Sequence, residues 1–78
     1  MPLKRERHPM PPEVRHALTD AGVMRAYLAR PPYQQNDYIG WITRAKRDET
    51  RDKRLAQMLD ELARGDRYMK MAYRARNG

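Results

Sequence analysis

The chain has 78 residues, with 17 lysines and arginines against 10 aspartates and glutamates, and it contains no cysteine. A single domain of this size buries only about 60% of its extended-chain surface, and neither a disulfide nor a thiolate metal site can assist its core. The formal net charge of +7 favours polyanions and anionic surfaces as partners, helps solubility and says nothing about fold.

No apolar run approaches the roughly 20 residues that span a bilayer, so the chain is not expected to be membrane-spanning. Residues 1–8 are basic and lead into no apolar stretch, so no secretory signal is expected and the cytoplasm is the expected compartment. Pro9, Pro11 and Pro12 make residues 1–11 an extended lead-in that cannot be helical. Pro12 then suits a first helical position, where its missing N–H is harmless, and Glu13 suits the first turn. Val14, Ala17 and Leu18 recur at helical spacing until Asp20-Ala21-Gly22 stops the helix. A second short helix carries Met24, Tyr27 and Leu28 and ends before Pro31-Pro32. The spacing predicts a third from about Tyr33 to Lys46, with Tyr38, Trp41, Ile42 and Ala45 on one face. Asp48 is the expected N-cap of a fourth. That helix presents Leu55, Met58, Leu59 and Leu62 at i, i+3, i+4 and i+7, and Gly65 suits the position just past its end.

No alternating β-branched stretch exists, so strands are not expected. The reading is all-α, a small compact bundle of four short helices over residues 12–67. Residues 68–78 read either as a basic tail or as a fifth short helix. There Arg67, Lys70, Arg74 and Arg76 interleave with Tyr68 and Tyr73, a pattern that can stack bases and hold phosphates. The same Tyr and Met spacing also fits a satellite of the core, and this second reading is preferred. The expected core is Leu18, Tyr27, Tyr38, Trp41, Ile42, Leu55, Met58, Leu59 and Leu62. Gly40, in mid-helix beside Trp41, costs up to about 1 kcal/mol relative to alanine. Close approach of another helix, or a large ring packed on bare backbone, would offset it. Trp41, with Tyr33 and Tyr38 nearby, is then the expected aromatic centre of a core without phenylalanine.

Catalytic chemistry is poorly provided for. Serine and cysteine are both absent, which leaves Thr19, Thr43, Thr50 or a lysine as nucleophiles. Glu13 and His16 have the Glu-x-x-His spacing of carboxylate-bridged metal sites, but no second such pair exists. Asp60 and Glu61 are adjacent and so point about 100° apart on a helix, which is wrong for a carboxylate pair. The four glycines are isolated, so no glycine loop cradles phosphate. The chain is therefore expected to be no enzyme, with no catalytic residues, no metal site and no cofactor.

Chemistry concentrates instead at the junction of the third and fourth helices. Lys46, Arg47, Thr50, Arg51 and Arg54 lie there, in a segment of residues 44–54 with six basic and three acidic residues. One reading is structural: Arg51, one turn before Leu55, caps the carbonyls ending the third helix, and Thr50 satisfies a free backbone N–H. The other is an anion or partner site built from the same cations and the start of the fourth helix. Asp48, Glu49 and Asp52 would partly oppose an anion, which favours the structural reading.

One resemblance runs through most of the chain. Pro12-Glu13-x-x-x-Ala17-Leu18 is followed by Tyr38-Ile39-x-Trp41-Ile42. Next comes Ala45-Lys46-x-x-Glu49-Thr50-Arg51-x-x-Arg54-Leu55, and Leu59-x-x-Leu62-Ala63-x-Gly65 closes the pattern. Over residues 12 to about 67 this resembles the YdeI/OmpD-associated family, whose members are described as bacteriocin-protection or stress-resistance proteins. Asp48 stands where the family usually places proline. The resemblance implies a helical fold and a link to envelope or antimicrobial-peptide stress, and it supplies no mechanism. Two readings follow: a non-enzymatic helical interaction module that binds a protein or envelope component, or a basic nucleic-acid-binding module. Against the second, a fourth helix opening on Asp48-Glu49 would turn carboxylates toward phosphates.

Overall fold

Two proline pairs and two glycines set the helix boundaries. The computed structural model describes residues 8–73. Pro12 opens α1 (Pro12–Asp20), and Pro32 opens α3 (Pro32–Thr43), each at a first-turn position that needs no N–H. Between them α2 (Met24–Ala29) ends because Arg30 precedes Pro31 and is driven to extended backbone, φ −71° and ψ 152°. The α1–α2 corner closes with hydrogen bonds from the Gly22 amide to Thr19 O and from the Val23 amide to Leu18 O.

Helix α3 stops at Thr43, three residues short of the predicted end. Side chains crowd its last carbonyls, and Arg54 takes the one that the Ala45 amide would need to continue the helix. Thr43 Oγ1 donates to Ile39 O at 2.8 Å, Arg44 Nε to Gly40 O at 3.1 Å, and Arg54 Nη1 to Trp41 O at 2.6 Å. The long helix α4 (Asp48–Arg64) then begins with Arg47, not Asp48, in the cap position, and no side chain caps it. Asp48 and Glu49 lie instead in the first turn, where their charge complements the helix dipole. Gly65 ends α4 with φ 80°, a left-handed conformation that glycine adopts without a Cβ penalty, and its amide bonds Glu61 O at 2.9 Å.

Beyond Gly65 the chain forms neither a fifth helix nor a tail up to Tyr73. Strands β1 (Arg67–Tyr68) and β2 (Met71–Ala72) pair antiparallel, Arg67 opposite Ala72 and Tyr68 opposite Met71. The expectation of no strand is corrected here. The fold is mostly helical with one small hairpin. Residues 74–78, the rest of the predicted tail, lie outside the described residues.

All four helices contribute to one core. Val14 and Leu18 of α1 meet Tyr27 of α2, Tyr38, Ile39 and Ile42 of α3, and Met58 and Leu62 of α4, with Val23 at the α1–α2 corner. Each such side chain contributes about 1.5–3 kcal/mol by leaving water. Trp41, Leu55 and Leu59 pack around this cluster half-buried. Trp41 is thus at the edge, and Tyr38, 0% exposed, is the aromatic centre. Gly40 does accommodate a ring on bare backbone, but the ring comes from the lead-in. A Cβ at Gly40 would lie 2.7 Å from His8 Cδ2 and Nε2, and the His8 amide bonds Asn36 Oδ1 at 2.8 Å.

Candidate functional site

The cations at the α3–α4 junction do not converge on one point. Lys46 and Arg47 are exposed, and Arg47 pairs loosely with Glu49 at 3.8 Å. Thr50 is half-buried. Arg51 lies 3.6 Å from Glu13 of α1 and reaches Ala45 O only at 3.5 Å. Among the described residues its Nε is buried without a hydrogen-bond partner. Arg54, not Arg51, is the strong cap on α3. Besides bonding Trp41 O, its guanidinium sits 5.3 Å from the centre of the Trp41 ring, where cation–π attraction adds to the hydrogen bond. The geometry is that of a helix–helix brace.

A second polar cluster, which sequence reasoning passed over, is far more enclosed. Arg30, Gln34 and Glu61 are the buried polar side chains among the described residues, Arg30 6% and Glu61 3% exposed. Arg30 enters the interior at the proline-forced corner after α2. From there Nη1 donates to Gln34 Oε1 at 3.1 Å, and Nη2 to Glu61 O at 3.2 Å and Arg67 O at 2.8 Å. The Glu61 carboxylate accepts four hydrogen bonds. Tyr38 Oη donates at 2.5 Å and Gln57 Nε2 at 3.1 Å, both from helices. The amides of Met69 and Lys70 donate at 2.9 and 2.7 Å, both from the hairpin turn. A buried charge is tolerable only when so satisfied.

That carboxylate explains the hairpin. Met69 and Lys70 both have positive φ, 51° and 65°, as a two-residue type I′ turn requires. Such turns select Asn-Gly, and for other residues left-handed backbone costs about 1–2 kcal/mol each. Glu61 offsets this by accepting both turn amides. Aromatic contacts complete the seat: the Tyr68 ring meets Tyr33 edge-on at 6.1 Å and Tyr38 at 5.5 Å, and its hydroxyl donates to Asp37 at 2.9 Å. Arg30 also lies 4.6 Å from the Tyr73 ring centre. Burial first, then the hydrogen bond to Glu61, raises the pKa of Tyr38 well above the ordinary tyrosine value, so this phenol is a firm donor.

No group of three or more His, Asp or Glu side chains is placed among the described residues to hold a metal ion, and Glu13 and His16 are both exposed. No helix among them is long and apolar enough to cross a membrane.

A four-helix body in which Arg30 and Glu61 tie helices and hairpin together defines a small helical module. The chain belongs to the OmdA family, described as bacteriocin-protection, YdeI or OmpD-associated, which it matches over residues 8–65. No curated protein and no solved structure matches it. The match takes in His8, all three helix–helix junctions and the polar cluster up to Glu61, and it stops at Gly65, before the hairpin.

Proposed function

We propose that this chain is a non-enzymatic interaction module that contributes to bacteriocin or related stress protection by binding a protein or envelope component. The observation that carries the reading is family membership over residues 8–65. The placement of the tyrosines supports a protein partner over a nucleic acid. Tyr68 is wedged against Tyr33 and Tyr38, and Arg30 covers one face of Tyr73, so both rings are already engaged within the fold and less available to stack on a base. The exposed cations Lys46 and Arg47 then serve to attract an acidic partner surface.

Two measurements test this. Expression of the chain in a bacteriocin-susceptible bacterium is expected to raise survival under challenge, and unchanged survival counts against protection. Titration with duplex and single-stranded oligonucleotides at two salt concentrations is expected to give only weak binding. Tight binding that falls steeply with salt would transfer the reading to nucleic acid.

A further inference from the structure

The hairpin is held in the manner of a bound peptide. Its two turn amides and one of its carbonyls are read by side chains of the helical body, Glu61 and Arg30, and Tyr68 fills an aromatic slot beside Tyr33 and Tyr38. Its own pairing is minimal, two residues in each strand, and Met71 stays 59% exposed. Both turn residues hold a backbone conformation that they disfavour in isolation. The side chains that read it, Arg30, Tyr38 and Glu61, and Gln34, which holds Arg30, all lie inside the family match, whereas the hairpin lies wholly beyond its end and beyond the left-handed stop at Gly65.

We infer that the Arg30–Gln34–Tyr38–Glu61 crater is a receptor for a turn, which this chain fills with its own residues 67–72. A partner protein binds by presenting an aromatic residue followed by a two-residue left-handed turn in the hairpin's place. The chemistry fixes those requirements. The carboxylate needs two successive backbone N–H groups pointing one way, which a left-handed turn supplies. The guanidinium needs a carbonyl just before the aromatic residue, and the slot needs a ring with a hydroxyl able to reach Asp37. Occupation in cis lowers the apparent affinity of any such partner by the fraction of time that the crater is closed. The inference rests on the interaction-module reading and names the partner's recognition element.

The test uses the full chain with Met69→Pro. Proline has no N–H to offer Glu61 and holds φ near −65°, so the turn cannot seat, while every crater residue remains. The probe is a cyclic peptide that closes the sequence Arg-Tyr-Met-Lys-Met-Ala into the turn, with a Tyr→Ala version as control. The cyclic peptide is expected to bind Met69→Pro at least ten times more tightly than wild type and to raise its melting temperature, and the control to bind neither. Tyr68→Ala, which removes the occupant's anchor, is expected to behave like Met69→Pro. Equal affinity for wild type and variants, or no binding while the helical circular dichroism persists, would overturn the inference. Loss of the helical signal in both variants would overturn it too, by making the hairpin part of the fold. Protection from bacteriocin that survives such a failure leaves the interaction reading standing and removes only this crater.

Discussion

Replacing Tyr38 by phenylalanine keeps the ring and removes one of the four donors to the Glu61 carboxylate. With both groups buried, the loss is expected to cost about 1–3 kcal/mol, read as a lower urea midpoint. The same residue sets an alkaline limit. Its folded pKa is raised above the unfolded value of 10.0, so its contribution is complete below pH 10 and is lost as pH climbs past 10 toward the folded value. Between about pH 9 and pH 11, wild type is expected to lose stability more steeply than Tyr38→Phe. The variant keeps the contribution of Tyr27, whose pKa burial also raises. At Gly40 two effects oppose each other. Alanine gains up to about 1 kcal/mol of helix propensity but pushes the His8 ring off α3. Gly40→Ala is therefore expected to change global stability by less than about 1 kcal/mol. It should still speed exchange of the His8 amide, now held by Asn36.

At the scale of elements, the brace between α3 and α4 rests on Arg54. Arg54→Ala is expected to cost about 1.5–3 kcal/mol, since a charge-assisted bond and a ring contact both go. Arg51→Ala should cost less, because its contacts at 3.5 and 3.6 Å are long and its buried Nε has no hydrogen-bond partner among the described residues. Thermal melts of the pair decide the order, and a larger loss from Arg51 would refute it. Trp41→Ala is expected to cost about 2–3 kcal/mol, less than for a fully buried tryptophan. These elements also show what the sequence could tell. The four helices were legible because proline, glycine and apolar spacing act locally. The end of α3 was not, because Arg54, thirteen residues away from Trp41, takes its carbonyl. Of the junction residues named in advance, their clustering along the chain was readable, but not which guanidinium would find the better acceptor. The polar crater was missed because Arg30, Gln34 and Glu61 look like surface residues until the fold buries them.

For the whole molecule, the excess of positive charge raises the question of anion binding. The best-placed guanidiniums at the junction are already engaged with Trp41, Ala45 and Glu13, and acidic residues open α4. Phosphate is thus expected to raise the melting temperature no more than chloride at matched ionic strength. A phosphate-specific rise that disappears in Arg51→Ala would establish an anion site at the junction.

The turn at Met69-Lys70 has a consequence for the order of events in folding. Nothing local favours that turn, and its instruction is carried by Glu61, on a helix eight residues upstream of Met69. The carboxylate can deliver it only after α3 has brought Tyr38, and the α2–α3 corner has brought Arg30, against α4. The hairpin is then the last piece to arrive and the first to leave. Conservative substitutions such as Tyr68→Phe are expected to speed unfolding and leave the folding rate almost untouched, giving φ-values near zero, whereas Met58→Ala in α4 slows folding. Lys70 itself, exposed, is free to vary in side chain, whereas Met69 offers both its amide and a side chain that packs against the core.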